Sequence, residues 1–242
     1  MRPKIIHYCW FGGNPKSKLI IQCMNSWKKY CPDYEIIEWN ENNFDVNCCD
    51  YVREAYKSKK WAFVSDYCRF YILYHQGGVY LDTDVELIKN FSEMENTFVG
   101  FESEEAVNSG LIRAAEKGDT ICKLMLESYH ADHFCRQDGS LNTTTVCERE
   151  TGILCQCGLK LNNQLQTVES TTVYPSDYFN PTDIKTRKVT ITPRTVSIHH
   201  YAASWLDSKK KMKIMISSII YRLFGVRFVQ KFKQLIGWNK QH

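Results

Sequence analysis

"GGVYLDTDVELI", residues 77–88, decides how this chain is read. A glycine pair leads into a short apolar run that ends on Asp82 and Asp84, with only Thr83 between them. In an extended strand, residues i and i+2 point the same way. The two carboxylates are therefore expected to converge at the end of a buried strand, the edge where α/β sheets place ligands. Like charges so close repel, and one takes up a proton unless a cation lies between them. Carboxylate oxygens suit Mg²⁺ or Mn²⁺. Such an ion bridges phosphate oxygens and stabilises a departing phosphate. A lone D-x-D triplet also fits a solvated turn, but the glycine pair and buried strand before it favour a site.

Just upstream, residues 61–76 are nearly all apolar, including Ala62, Phe63, Val64, Tyr67, Phe70, Tyr71 and Leu73. A helix that is apolar on all sides is buried. Yet Asp66 and Arg69 sit within it, one turn apart on one face. Buried charge is costly unless paired. The two could satisfy each other, or Asp66 could accept from ligand hydroxyls while Arg69 adds donors and positive charge.

Further upstream, residues 4–10 read as a strand ending in Trp10, just before Gly12 and Gly13. Residues 15–29 place Leu19, Ile20, Cys23, Met24 and Trp27 at helical spacing. Residues 34–39 form a second strand. Strand, helix, strand is the opening of a parallel α/β sheet. Trp10 is either core packing or, at the ligand edge of that sheet, a platform for a nucleobase.

Downstream, strands are expected over 85–87 and 97–102. Helices are expected over 119–129, capped by Asp119, and over 143–157. Short β-prone runs alternate with turns over 166–200. Asn108, in "VNSGLI", is a turn residue or an amide that contacts ligand. The last run, 195–200, ends in His199 and His200, which face opposite sides of a strand. One imidazole could join the carboxylates around a cation. Ser204 and Trp205 follow, and both are donors suited to phosphate oxygens.

Composition narrows the class. At 242 residues with 43% hydrophobic content, the chain can bury a full core. Nine of its 31 Lys and Arg lie in residues 208–242, which hold no Asp or Glu. Residues 1–207 therefore carry 22 basic and 27 acidic residues, a formal charge of −5. That excludes a nucleic-acid-binding body and leaves a basic tail. The count of eleven Cys is odd, and neither Cys48-Cys49 nor Cys155-x-Cys157 has zinc-finger spacing. No signal-like segment opens the sequence, so reduced thiols in a cytoplasmic protein are expected.

"PKIIHYCWFGG", "WAFVSDYCRFYILYHQGGVYLDTDVEL" and "SIHHYAASW" together resemble the glycosyltransferases of family 32. This DXD sugar-transferase group includes yeast Golgi mannosyltransferases and bacterial capsular-polysaccharide enzymes. More distantly, the middle block resembles the glucosylating domain of large clostridial toxins. The resemblance covers roughly residues 3–206. It implies a GT-A fold, a Rossmann-like α/β domain with a mixed central sheet, acting on a nucleotide-sugar donor with Mn²⁺ or Mg²⁺.

Carried over by motif, Trp10 would stack on the base, and Asp66 and Arg69 would hold the donor sugar. Asp82 would touch ribose and metal, and Asp84 would ligate the metal. His199 would be the third ligand, with His200 as the alternative. Ser204 and Trp205 would hold the diphosphate, and Asn108 would lie near the reacting carbon. Retention of anomeric configuration is implied by the resemblance only.

The expected organisation is a transferase domain over 1–207 and a basic amphipathic helical tail over 208–242. The tail pattern suits helices over 209–236 lying on an anionic membrane surface, or packing on the domain or a second subunit. The expected activity is hexose transfer to a glycan or lipid-linked acceptor in cell-surface polysaccharide synthesis. UDP-hexose is the first donor expected and GDP-mannose the second. Eukaryotic relatives carry a membrane anchor before the domain, so a start at the first strand favours a bacterial cytoplasmic enzyme, which the basic tail could hold at the inner face of the membrane. The competing readings are a non-catalytic nucleotide- or sugar-binding module and a metal-dependent phosphodiester hydrolase.

Overall fold

The computed structural model describes residues 1–202 and 208–235. In chain order the elements are β1 (Ile5–Cys9), α1 (Lys18–Tyr30), β2 (Glu35–Trp39), α2 (Asp50–Lys57), α3 (Trp61–Gln76), β3 (Gly78–Tyr80), β4 (Val85–Leu87), β5 (Phe98–Gly100), β6 (Arg113–Ala115), α4 (Thr120–His130), α5 (Val146–Gln156), β7 (Gln166–Val168), β8 (Thr171–Tyr174), α6 (Ser176–Phe179), β9 (Ser197–His199), α7 (Ser208–Phe224) and α8 (Val226–Leu235). The chain divides into two compact units. The first is Met1–Pro181 with Ile191–His200, and the second is Thr182–Thr190 with Tyr201–His242.

In the first unit a seven-stranded sheet runs β2-β1-β3-β6-β5-β8-β7. β1 is parallel to β2 and β3, as the opening strand–helix–strand pattern predicts. β6 runs antiparallel to both β3 and β5, so the sheet is mixed. A separate two-stranded sheet pairs β4 with β9. One large apolar cluster gathers Tyr51, Tyr67, Phe70, Met125 and Leu154 from α2, α3, α4 and α5. A second gathers Ile6, Trp27, Leu87, Phe98 and Phe179 from β1, α1, β4, β5 and α6.

Local signals explain where the helices start. The Ser17 side chain accepts from the Ile20 N–H at the head of α1. Asp119 caps α4 by accepting from Cys122, as expected. Thr145 and Glu148 form a reciprocal capping box on α5.

The glycine pair between α3 and β3 is required by the backbone. Gly77 and Gly78 have φ of +69° and +106°, a region that L side chains avoid. A Cβ on Gly77 would lie 2.9 Å from the Lys117 nitrogen. One on Gly78 would lie 2.9 Å from both His7 Nε2 and the Ile5 carbonyl. His7 itself is fully buried. The Trp39 indole N–H donates to its Nδ1 at 3.1 Å. An indole can only donate, so the His7 proton sits on Nε2 and is donated to the Gly77 carbonyl at 3.0 Å. Burial pulls the imidazole down to about 4, against the opposing pull of the Gly77 bond.

β6 has no counterpart in the sequence reading. Its three residues, Arg-Ala-Ala, carry little strand propensity. Arg113 is nonetheless fully buried, with Nη1 2.6 Å from Glu150 and Nη2 3.1 Å from Asp119. This pairing satisfies a charge that sequence alone assigns to the surface.

Candidate active site

β3 stops at Tyr80, and the chain then turns: the Val85 N–H donates to the Asp82 carbonyl at 3.1 Å. Asp82 and Asp84 thus sit on a tight turn that hands the chain from the large sheet to β4. The expected extended strand end is not there, and the alternation that would aim both carboxylates one way is replaced by the turn. Asp82 Oδ1 accepts from the Tyr80 hydroxyl at 3.0 Å and lies 3.4 Å from Arg69 Nη2. Asp84 Oδ1 lies 3.2 Å from His199 Nε2.

Strand pairing settles which histidine faces the turn. Val85 is in register with His199, and the His200 N–H donates to the Asp84 carbonyl at 3.1 Å. His199 is buried beside Asp84. His200 turns the other way, with Nε2 2.8 Å from Glu86 Oε2. Burial pulls the His199 imidazole down, but the hydrogen bond and charge of Asp84, backed by Asp82 and Glu102, outweigh it and hold it above its ordinary value.

α3 supplies the floor. Arg69 Nη2 pairs with Asp66 Oδ1 at 2.8 Å, and both residues are buried. The Arg69 guanidinium lies 4.7 Å from the centre of the Tyr80 ring. Burial works against the Arg69 charge, but Asp82, Tyr80 and Asp66 more than restore it. Burial pushes the Asp66 carboxyl up to about 6; Arg69 opposes this and Asp82 adds to it. Arg69 Nη1 is buried and has no hydrogen-bond partner among the described residues. A buried, unpartnered guanidinium nitrogen is an uncommon cost unless a ligand oxygen completes it.

Asn108 shapes the facing loop. Its Oδ1 accepts from the Gly110 N–H at 2.7 Å, and its Nδ2 donates to Glu102 Oε1 at 2.9 Å. Each end of the amide retains one further hydrogen-bonding position. The Asp82 N–H donates to the Gly110 carbonyl at 3.1 Å. A Cβ on Gly110 would lie 2.1 Å from Asp82 Oδ2 and 3.0 Å from Arg69 Nη1. Trp10 follows the last residue of β1, half-buried, and its indole N–H donates to the Asn14 carbonyl at 2.7 Å. The Lys16 ammonium lies 5.1 Å from its ring centre. Ser204 and Trp205 lie outside the described residues.

The structure thus brings Asp66, Arg69, Asp82, Asn108, Asp84 and His199 to the β3–β4 turn and the elements around it. Three further residues were not singled out from the sequence. Tyr80 holds Asp82, Gly110 makes room for it, and Glu86 keeps His200 away from the turn. Tyr80 alone had a signal, its place in the G-G-x-Y run. Among the described residues, no group of three or more His, Cys, Asp or Glu is gathered closely enough to hold a metal ion. All eleven cysteines are free thiols, and five of them are buried, fewer than the mostly buried set the sequence suggests.

Residues 17–101 match the family described as "Glycosyltransferase sugar-binding region containing DXD motif". About a third of the chain is thus similar to a glycosyltransferase DXD region. The match includes Asp66, Arg69, Asp82 and Asp84, while Trp10, Asn108 and His199 fall outside it. A solved structure named "PaToxG Glycosyltransferase" aligns with a TM-score of 0.52 and 19% identity, over 64% of this chain and 68% of that one. This likeness is one of fold: the mixed α/β architecture is shared with that glycosyltransferase. No curated protein matches it by sequence. Within the DXD region, α3 provides the buried ion pair and the β3–β4 turn provides the acidic pair.

Proposed function

We propose that the enzyme moves a hexose from a nucleotide-sugar donor to a glycan or lipid-linked acceptor in cell-surface polysaccharide synthesis, in the presence of Mn²⁺ or Mg²⁺. UDP-hexose is the first donor expected and GDP-mannose the second. One observation carries the reading: buried Arg69 bridges Asp66 and Asp82, and its Nη1 has no hydrogen-bond partner among the described residues, directly beside the acidic turn. That is a prepared set of charges and donors rather than a closed ion pair.

In this reading Asp66 accepts from donor-sugar hydroxyls, and Arg69 Nη1 donates to a donor oxygen. Trp10 stacks on the base, Ser204 and Trp205 hold the diphosphate, and Asn108 holds its loop against the reacting carbon. Carboxylate oxygens and an imidazole nitrogen are donor types that suit a divalent ion, although Asp82, Asp84 and His199 are not gathered around one point in this structure. Asp84 and His199 would hold that ion, with Asp82 beside them and His200 excluded by its bond to Glu86. When bound, the ion supplies positive charge to the departing diphosphate. Arg69 adds fixed positive charge at the same edge, where charge grows as the glycosidic bond breaks. Retention of configuration is part of the proposal.

The test is release of nucleoside diphosphate from a panel of nucleotide sugars with Mn²⁺. Asp84→Ala is expected to lower release by about 10²-fold or more, the range seen when charge stabilisation is removed, with the melting temperature kept. Undiminished release by Asp84→Ala would sink the assignment. Binding without release would favour a non-catalytic module, and cleavage of simple phosphodiesters would favour a hydrolase.

A further inference from the structure

The second unit turns an apolar face outward. In α7, Met212, Met215, Ile216, Ile219, Leu223 and Phe224 are all exposed, Leu223 to 73% and Phe224 to 60%. At the α-helical repeat these six fall within about half of the helix circumference. The opposite side carries Ser218, which is only 7% exposed, and half-buried Tyr221. The usual arrangement of a surface helix, apolar side in and polar side out, is inverted. Arg222 fixes the helix in that orientation: its guanidinium donates to the backbone carbonyls of Thr186 and Arg187 in the same unit. The apolar surface continues into α8, where Phe228 is 61% exposed and stacks on Phe224 with ring centres 6.1 Å apart.

The charge around this face is of one sign. Residues 208–242 carry nine Lys or Arg and no acid. Lys209 and Lys213 are exposed within the same half of α7, between Ile216 and Phe224 around the helix, and Arg227 and Lys231 are exposed on α8. No described helix is long and apolar enough to cross a membrane. A helix that exposes many apolar side chains interspersed with bases, and is too short to span, suits the plane of a bilayer interface. Its bases add attraction where the lipid headgroups are anionic. A second copy of the same face fits poorly, because it brings no carboxylate to meet the bases and would set like charges together.

We infer that α7 and α8 form a docking surface for an anionic lipid bilayer, with Ile219 and Leu223 inserted and the Lys and Arg side chains at the headgroups. This inference is independent of the donor and acceptor proposed above, because its test reads partition and not catalysis. The full-length protein is sedimented with vesicles of phosphatidylcholine alone or mixed with phosphatidylglycerol, at low and high ionic strength. Binding is expected to be about tenfold stronger to the anionic vesicles and to weaken with salt. The double variant Ile219→Asp/Leu223→Asp should lose about tenfold or more of that binding. Both side chains are exposed, so its melting temperature and circular dichroism should match the wild type. Equal binding by wild type and variant would overturn the inference, as would indifference to vesicle charge. A dimer seen by light scattering without lipid, and lost in the variant, would overturn it in favour of self-association.

Discussion

His7 gives the fold a built-in sensitivity to mild acid. Its Nδ1 accepts from the Trp39 indole and its Nε2 donates to the Gly77 carbonyl. A second proton has only Nδ1 to occupy, and there it would face the Trp39 N–H, donor against donor. The folded state therefore holds the imidazole at about 4, while the unfolded chain titrates near the ordinary 6.5. Between those values the unfolded chain binds the extra proton and the folded one resists it. Stability is complete above the unfolded value and falls as the pH drops toward the folded one. The full shift corresponds to about 3 kcal/mol, and about 2 kcal/mol of it is lost by pH 5.

Three other buried groups, Asp66, Glu150 and His199, act in the opposite sense. Their raised values make the folded state the better proton binder there, which favours folding as the pH falls. The clean measurement is therefore a difference. His7→Gln keeps an acceptor for Trp39 and a donor for Gly77 but does not titrate. Urea unfolding of wild type and variant from pH 7.5 to pH 5 should show the wild type losing about 2 kcal/mol more than the variant. Parallel curves would refute both the buried neutral His7 and the tautomer assigned to it.

Two further substitutions test the site and its support. Gly110→Ala brings a methyl group against Asp82 and Arg69; it should cost about 1–3 kcal/mol in urea unfolding and lower diphosphate release about tenfold or more. Unchanged release would mean that Asp82 need not stand where it does. Arg113→Met leaves Asp119 and Glu150 buried without their cation; a loss of about 3–5 kcal/mol is expected from urea unfolding, and a loss under 1 kcal/mol would show that the two carboxyls find protons at little cost.

Much of this was legible before any coordinates. The parallel opening, the buried α3 with its Asp66–Arg69 pair and the Asp119 cap all follow from local period and residue chemistry. What the sequence hid is tertiary. β6 is three residues of weak propensity, and Arg113 reads as a surface residue until Glu150, far along the chain, is seen beside it. The acidic pair was read on a strand because the β-prone run continues past it. The turn closed by Val85 exists because β4 leaves for a different sheet. Parity alone gave one histidine per side, and only the register of β9 on β4 tells which one meets Asp84. Gly110 matters through a close approach across the loop, which no periodicity reports.

The pairing of β4 with β9 also sets an order of events. Every residue of the matched DXD region has left the ribosome roughly 100 residues before His199 does. Until then β4 has no partner in its two-stranded sheet, and the acidic turn lacks its imidazole. A chain cut short before residue 197 would retain the complete DXD region, yet leave β4 as a bare edge and the turn unfinished. The last strand of the first unit thus completes the acidic turn only after the whole DXD region has been made.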